Sequence, residues 1–194
     1  MPELVIDFIT SLDGYGAAEG WPGYWGLEGP EYLAWLAEYA EAEPTILMGA
    51  NTYRLMAEFA AQGEPGTEAL AARSKVVFSS TVTEPLKWAN TRVVSDNAVE
   101  AVREMKERGT TPLTTMGSLS LCRSLLQAGL ADRFRVVVFP VITGATGRER
   151  IYDGYPDVSL RMVNRRTFDD QIQLLEYVPT ILHRPPDAEP DTNK

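Results

Sequence analysis

The first 53 residues contain no lysine and no arginine. They carry nine acids (Glu3, Asp7, Asp13, Glu19, Glu28, Glu31, Glu38, Glu41 and Glu43), and these account for the whole net charge of −9, because the other 18 acids are matched by 18 basic residues. Such a balance argues against nucleic acid or an anionic membrane as a partner. Cysteine is almost missing. The single Cys122 excludes an internal disulfide and a cysteine-based zinc cluster. Helical spacing groups it with Leu119, Leu125 and Leu126, which marks a small buried hydrophobe and not a reactive thiol. The one histidine, His183, opens the proline-rich ending HRPPDAEPDTNK, read as a disordered tail over 183–194 behind a single domain over 1–182. Ser-His-Asp chemistry is thereby removed. No run of about 18 apolar residues exists to span a membrane, and no basic-then-apolar leader begins the chain. The cytoplasm is the expected address. Nucleophile-elbow, P-loop, HExxH, CxxC and G-x-G-x-x-G patterns are all absent, and no close carboxylate cluster suggests a metal site.

What is present is a regular alternation of strand and helix. The stretch 112–147 predicts a short strand (Leu113 to Met116), a turn at Gly117, a helix from Leu119 to Ala128 with Ser118 as N-cap, a stop at Gly129, and a long apolar strand from Phe134 to Phe139. Upstream, Glu3 to Thr10 predicts a central strand. A long glycine- and aromatic-rich loop with Trp21 and Trp25 follows, of the kind that serves as a lid or binding loop. A helix from Pro30 presents Leu33, Leu36 and Ala40, flanked by Tyr32 and Tyr39. Thr45 to Met48 and Lys75 to Phe78 predict buried strands. A helix capped by Asn51 or Thr52 shows Tyr53, Met56 and Phe59 or Ala60, and a loop covers 62–66. Thr91 to Val94 predicts an edge strand, and Asn97 to Arg108 a helix with capping-box spacing. Ser159 to Phe168 and Ile172 to Val178 predict a closing hairpin. The fold class is therefore α/β, with a mostly parallel sheet and an antiparallel C-terminal hairpin.

Three predicted strand ends carry small or hydroxyl residues: Gly49 with Asn51 and Thr52, then Ser79 and Ser80, then Gly117 and Ser118. Ligands of open α/β sheets bind at the carboxyl ends of the strands, and helix N-termini there attract phosphate. Three such ends suit an extended dinucleotide. Hydride transfer asks little of side chains beyond orientation, because the cofactor carries the chemistry. A chain poor in catalytic residues fits that demand.

Four segments resemble the dihydrofolate-reductase-like superfamily, and most closely the reductase domain at the C-terminus of the bifunctional riboflavin-biosynthesis deaminase–reductase. They are Ser11-Leu12-Asp13-Gly14, the run Ile46 to Tyr53 (ILMGANTY), Gly117 through Phe139 with GLADRFRVVVFP, and Gly144-Ala145-Thr146-Gly147. The resemblance covers residues 3 to about 178 and implies a three-layer dihydrofolate-reductase-like domain. It implies NADPH as reductant, a small-molecule substrate and a homodimer. By position, Gly49, Asn51 and Thr52 would meet the pyrophosphate, and Ser79 and Ser80 the adenosine 2′-phosphate. Gly117, Ser118 and Leu119 would lie beside the pyrophosphate and nicotinamide ribose. Asp13 and Gly14 would border nicotinamide and substrate, with Asp13, Glu31 and Tyr32 as the substrate- or proton-handling groups. Substrates of this kind are small heterocycles or carbonyl compounds, such as 5-amino-6-(5-phosphoribosylamino)uracil. A non-catalytic nucleotide binder on the same fold is the alternative, and a folate reductase a weaker one. Folate-reducing members carry a carboxylate where this chain has Tyr32. The zinc deaminase motif is missing. Ala50 replaces the family's basic residue after the glycine, a contact worth roughly 1.5–3 kcal/mol. Arg54 or Arg73 could supply the missing charge, and the sequence does not place either.

Overall fold

A computed structural model describes residues 1–41, 43–63, 67–83 and 85–184. Strand β1 (Leu4–Ser11) is central, and its apolar side chains are buried on both faces, as expected for a parallel sheet covered twice. The sheet adds β3 (Thr45–Gly49), β4 (Lys75–Phe78), β5 (Thr91–Val94), β6 (Leu113–Thr115) and β7 (Arg133–Phe139) in parallel, then β10 (Ile172–Ile181) and β9 (Val158–Phe168) as an antiparallel hairpin. The order is β5-β4-β3-β6-β1-β7-β10-β9. Strands β1 and β7 run in register from Val5 beside Arg133 to Ser11 beside Phe139.

Helices cover both faces. Strand alternation sends Leu47 to one side, with Leu4, Leu113, Val102 of α4 (Ala98–Arg108) and Leu121 and Leu125 of α5 (Leu119–Gln127). It sends Ile46 and Met48 to the other side, with Tyr53 and Ala57 of α2 (Ala50–Gln62) and Trp88. On that same side Tyr32 of α1 (Pro30–Glu41) packs with Trp25, Phe139, Phe168 and Ile172. This is the three-layer arrangement the sequence predicts.

Several local expectations are corrected. The long loop after β1 contains β2 (Tyr15–Ala18), paired antiparallel with β8 (Gly147–Arg150). A short helix, α3 (Thr67–Ala72), lies between α2 and β4. On α1 the buried face is rotated by one residue. Tyr32 is fully buried whereas Leu33 is 47% exposed, because the sheet below offers aromatic partners, Phe139 and Phe168, that a tyrosine ring fills. Trp25 is buried and Trp21 exposed. On α2 Phe59 faces outward, and Ala60, the other residue expected there, packs inward with Met56 and the buried Ala57. The predicted loop at 62–66 begins as the last residue of α2 and a left-handed Gly63, and 64–66 lie outside the described residues. Of the predicted tail, 185–194 likewise lie outside them.

Candidate active site at the strand ends

Helices α2 and α5 start side by side, at the carboxyl ends of β3 and β6, which are neighbours in the sheet. Gly49, and neither Asn51 nor Thr52, is the N-cap of α2. Ser118 occupies the N-cap of α5, but its hydroxyl does not cap. Its backbone is left-handed, at φ 64°, which aims the side chain sideways at the neighbouring helix. There the Ser118 hydroxyl accepts the Gly49 N–H at 2.7 Å and shares a 2.9 Å hydrogen bond with the Thr52 hydroxyl. Gly117 is also left-handed, and a Cβ on it would sit 2.9 Å from Thr52 Oγ1. Only glycine lets the two turns close to this distance.

The result is a pair of helix starts without side-chain caps. The other two long helices are closed by the chain itself. Asn97 Oδ1 accepts the Val99 N–H of α4 at 3.0 Å. On α1, Asp169 from the β9–β10 turn accepts the N–H groups of Glu31 (3.1 Å) and Tyr32 (3.2 Å), and Glu31 accepts the Asp169 N–H at 2.8 Å. Among the four long helices, the open donors thus lie where α2 and α5 meet, and they suit a diphosphate.

Beside this point a cleft of about 380 Å³ opens over the ends of β3, β4 and β5. Gly49, Ser79, Ser80, Ser95, Asp96 and Ser120 are among its walls. Ser79 shapes its own turn, its hydroxyl accepting the N–H groups of Thr81 and Val82, each at 3.0 Å. Asn51 is exposed and accepts from Arg54 at 3.4 Å. Arg54 also donates to Thr81 at 2.9 Å, so it stands near the serine turn, whereas Arg73 is engaged with the Pro44 carbonyl. The Leu119 side chain packs into the apolar cluster around Ile6 and Cys122, so its N–H is what it can offer a ligand. Burial pushes the Cys122 thiol up to about 12, which makes it inert, as the sequence suggests.

Asp13 and Gly14 lie at the far end of the row, after β1. The Ser11 hydroxyl donates to Asp13 at 2.7 Å, and the Thr143 N–H reaches both carboxylate oxygens at 3.1 and 3.2 Å. The Ser11 bond above all, aided by Thr143, holds this carboxyl below its ordinary value of 3.8 and outweighs the opposing effect of burial. Asp13 is therefore an ionised clamp between two loops. Gly14 is left-handed, with the Tyr152 ring 3.0 Å from where a Cβ would be. Glu31 is spent on the α1 cap described above. Tyr32 is buried, burial raises its phenol above the ordinary value, and its hydroxyl has no partner among the described residues.

Sequence reasoning missed the charge pair beneath α1. Arg135 donates to Asp7 through Nε at 3.0 Å and through a terminal nitrogen at 2.6 Å, with the Arg135 side chain 5% exposed and that of Asp7 23% exposed. The guanidinium also lies 3.9 Å from the Tyr39 ring centre. Ser95, Asp96 and the α1-capping Asp169 were missed too. The available signal for the pair was one charge inside each of two apolar strands.

Nothing in this row suits a metal, since among the described residues no group of three or more His, Cys, Asp or Glu converges. A nicotinamide dinucleotide is different. The paired helix starts have the free donors that its diphosphate requires, and the row of strand ends from β5 to β1 matches its length, roughly 19 Å over four steps of about 4.8 Å.

A family model for the RibD C-terminal domain matches residues 2–174. The chain belongs to the RibD C-terminal domain family. A relative in Bacillus subtilis (strain 168), the uncharacterised protein YyaP, is 27% identical over 180 residues, covering 90% of this chain and 93% of that one. A Shewanella sp. PV-4 protein named for riboflavin biosynthesis has the same fold, with a TM-score of 0.69 at 20% identity over 92% of this chain and 99% of the other. The Thermotoga maritima diaminohydroxyphosphoribosylaminopyrimidine deaminase/5-amino-6-(5-phosphoribosylamino)uracil reductase aligns with a TM-score of 0.65 at 19% identity. It matches over 92% of this chain but only 57% of its own. Among the described residues no helix is long and apolar enough to cross a membrane.

Proposed function

We propose that this RibD C-terminal family member is a nicotinamide-dinucleotide-dependent reductase of a small heterocyclic or carbonyl-type compound. The observation that carries the reading is the meeting of α2 and α5, two helix starts left without side-chain caps while α1 and α4 are closed. When bound, the reduced nicotinamide supplies the hydride. The chain's own part is to bind and orient. The N–H groups that open α2 and α5 hold the diphosphate, and Gly117 lets the two helix starts stand close enough to share it. The Asp13 clamp fixes the loop after β1, and Gly14 makes room beside Tyr152. Tyr24, half-buried against the core rings of Tyr32 and Phe139, is the aromatic side chain left to meet a substrate. The first substrate to test is 5-amino-6-(5-phosphoribosylamino)uracil, the compound in the Thermotoga enzyme's name.

Binding is measurable before any substrate is known. A dinucleotide at 100 times its Kd adds about 2.7 kcal/mol to stability, which is a Tm rise of roughly 5–10 °C for a domain of this size. An unmoved Tm with millimolar NADH and NADPH alike ends the reading.

A non-catalytic nucleotide binder is the second reading. It is favoured by the state of the three candidate proton-handling residues, since Asp13 is held by Ser11 and Thr143, Glu31 accepts from Asp169 at the α1 cap, and Tyr32 is buried. Stabilisation by a dinucleotide without its oxidation across a panel of pyrimidines, pteridines and aldehydes would select it.

A further inference from the structure

We infer that the nucleoside end of the cleft selects a ribose with a free 2′-hydroxyl, so that NADH and not NADPH is the reductant, and that Asp96 is the selecting residue. This rests on the dinucleotide reading of the same cleft. Tyr24, half-buried and stacked on Phe139 at the end of β7, is the aromatic surface this row offers a ring, so the nicotinamide belongs at that end. The other nucleoside then falls past the α2–α5 junction, among Ser79, Ser80, Ser95 and Asp96 at the ends of β4 and β5.

The walls there are serines, glycine, apolar side chains and one carboxylate, Asp96; no lysine or arginine is among the described residues that line the cleft. A 2′-phosphate carries a charge of about −1.5 to −2 at neutral pH. It would face Asp96 with no cation on the wall to offset it. A ribose 2′-hydroxyl instead donates to a carboxylate, the arrangement by which acidic residues mark NAD sites and arginines NADP sites. The position just inside α2 is Ala50, which has no charge to offer. Arg54 gives one N–H to Thr81 and one to Asn51 beside the serine turn, but it is not among the residues that line the cleft. Leu119 at the start of α5 is turned into the core. Serine hydroxyls alone could serve either ribose, so the sign of the local charge decides.

The test titrates the full chain with NADH and with NADPH, followed by tryptophan fluorescence or calorimetry, in the natural protein, in Asp96→Ser and in Arg54→Ala. Asp96 is exposed and outside the core, so Asp96→Ser keeps the fold. The expected result is NADH bound roughly 10- to 100-fold more tightly than NADPH, the range of one charge-assisted hydrogen bond gained or lost. Asp96→Ser brings the ratio to within about threefold of unity, and Arg54→Ala leaves it unchanged. Equal or tighter binding of NADPH by the natural protein overturns the inference while the dinucleotide reading stands. A ratio that survives Asp96→Ser overturns the role of Asp96. Absence of binding by either dinucleotide removes the reading and the inference together. Comparing 5′-AMP with adenosine 2′,5′-bisphosphate repeats the test on the nucleoside end alone.

Discussion

Ser118 ties the start of α2 to the start of α5, and replacing it separates two effects that its geometry combines. The hydroxyl accepts the Gly49 N–H at 2.7 Å, meets Thr52 Oγ1 at 2.9 Å and lies 3.3 Å from the Met116 carbonyl. In Ser118→Ala the Gly49 N–H loses its acceptor at a half-buried position. A net hydrogen bond of about 1 kcal/mol is lost, and partial desolvation of the stranded donor adds about as much, for a total of about 2 kcal/mol. The alanine also inherits φ 64°, which the serine already tolerates, so the backbone adds nothing new. Ser118→Gly loses the same bonds but relieves the left-handed strain, worth about 1 kcal/mol. The predicted order of stability is therefore serine, then glycine, then alanine. Urea unfolding measures the steps, and thermal melts would show losses of roughly 4–8 °C for alanine and half that for glycine. The same variants weaken dinucleotide binding about tenfold, because the helix starts lose their fixed spacing. An alanine variant as stable as the glycine variant would refute the left-handed assignment. Two variants indistinguishable from the natural protein would refute the bridge.

The Asp7–Arg135 pair predicts a non-additive pair of substitutions. Arg135→Met strands a carboxylate under α1 and costs about 3 kcal/mol, the low end for a broken buried pair because Asp7 keeps 23% of its side-chain surface. Asp7→Leu combined with Arg135→Met recovers at least about 2 kcal/mol of that, and a double variant no better than the single one would show that the two charges do not act together. The Asp13 clamp predicts a pH dependence. Its folded value lies below the ordinary 3.8, so its contribution is complete above that pH and is lost as pH falls through the folded value. Asp13→Asn accordingly lowers Tm at neutral pH, and the gap to the natural protein closes in acid below 3.8; a gap that stays constant to acid pH would rule out the ionised clamp.

The elements that sequence located best are those whose limits are set within a few residues. Asn97 caps its helix through a neighbour two positions away, and Gly129 takes the left-handed turn after α5. The Ser79 and Gly117 turns were legible for the same reason. What escaped is decided by residues remote in the chain. Strands β2 and β8 pair Tyr15 with Arg150 across a loop that alone looks irregular. The start of α1 is closed by Asp169, far along the chain in the last hairpin, which no local capping pattern announces. Ser118 reads as an ordinary N-cap until the neighbouring helix is in place to take its hydroxyl.

Asp7 and Arg135 show how such a feature acts on the fold that hides it. Each interrupts an apolar strand, and each alone would cost free energy in a buried sheet. Side chains alternate faces along a strand, so sliding β7 by one residue against β1 would set Phe134 or Val136 beside Asp7 and turn Arg135 to the opposite face. Two unpaired buried charges would result. The observed register is the one that joins them, and it is also the one that brings Ser11 level with Phe139 at the site end of the sheet. The charge pair thus helps fix where β1 delivers Asp13 and where β7 delivers the core ring of Phe139, although it stands several residues from either.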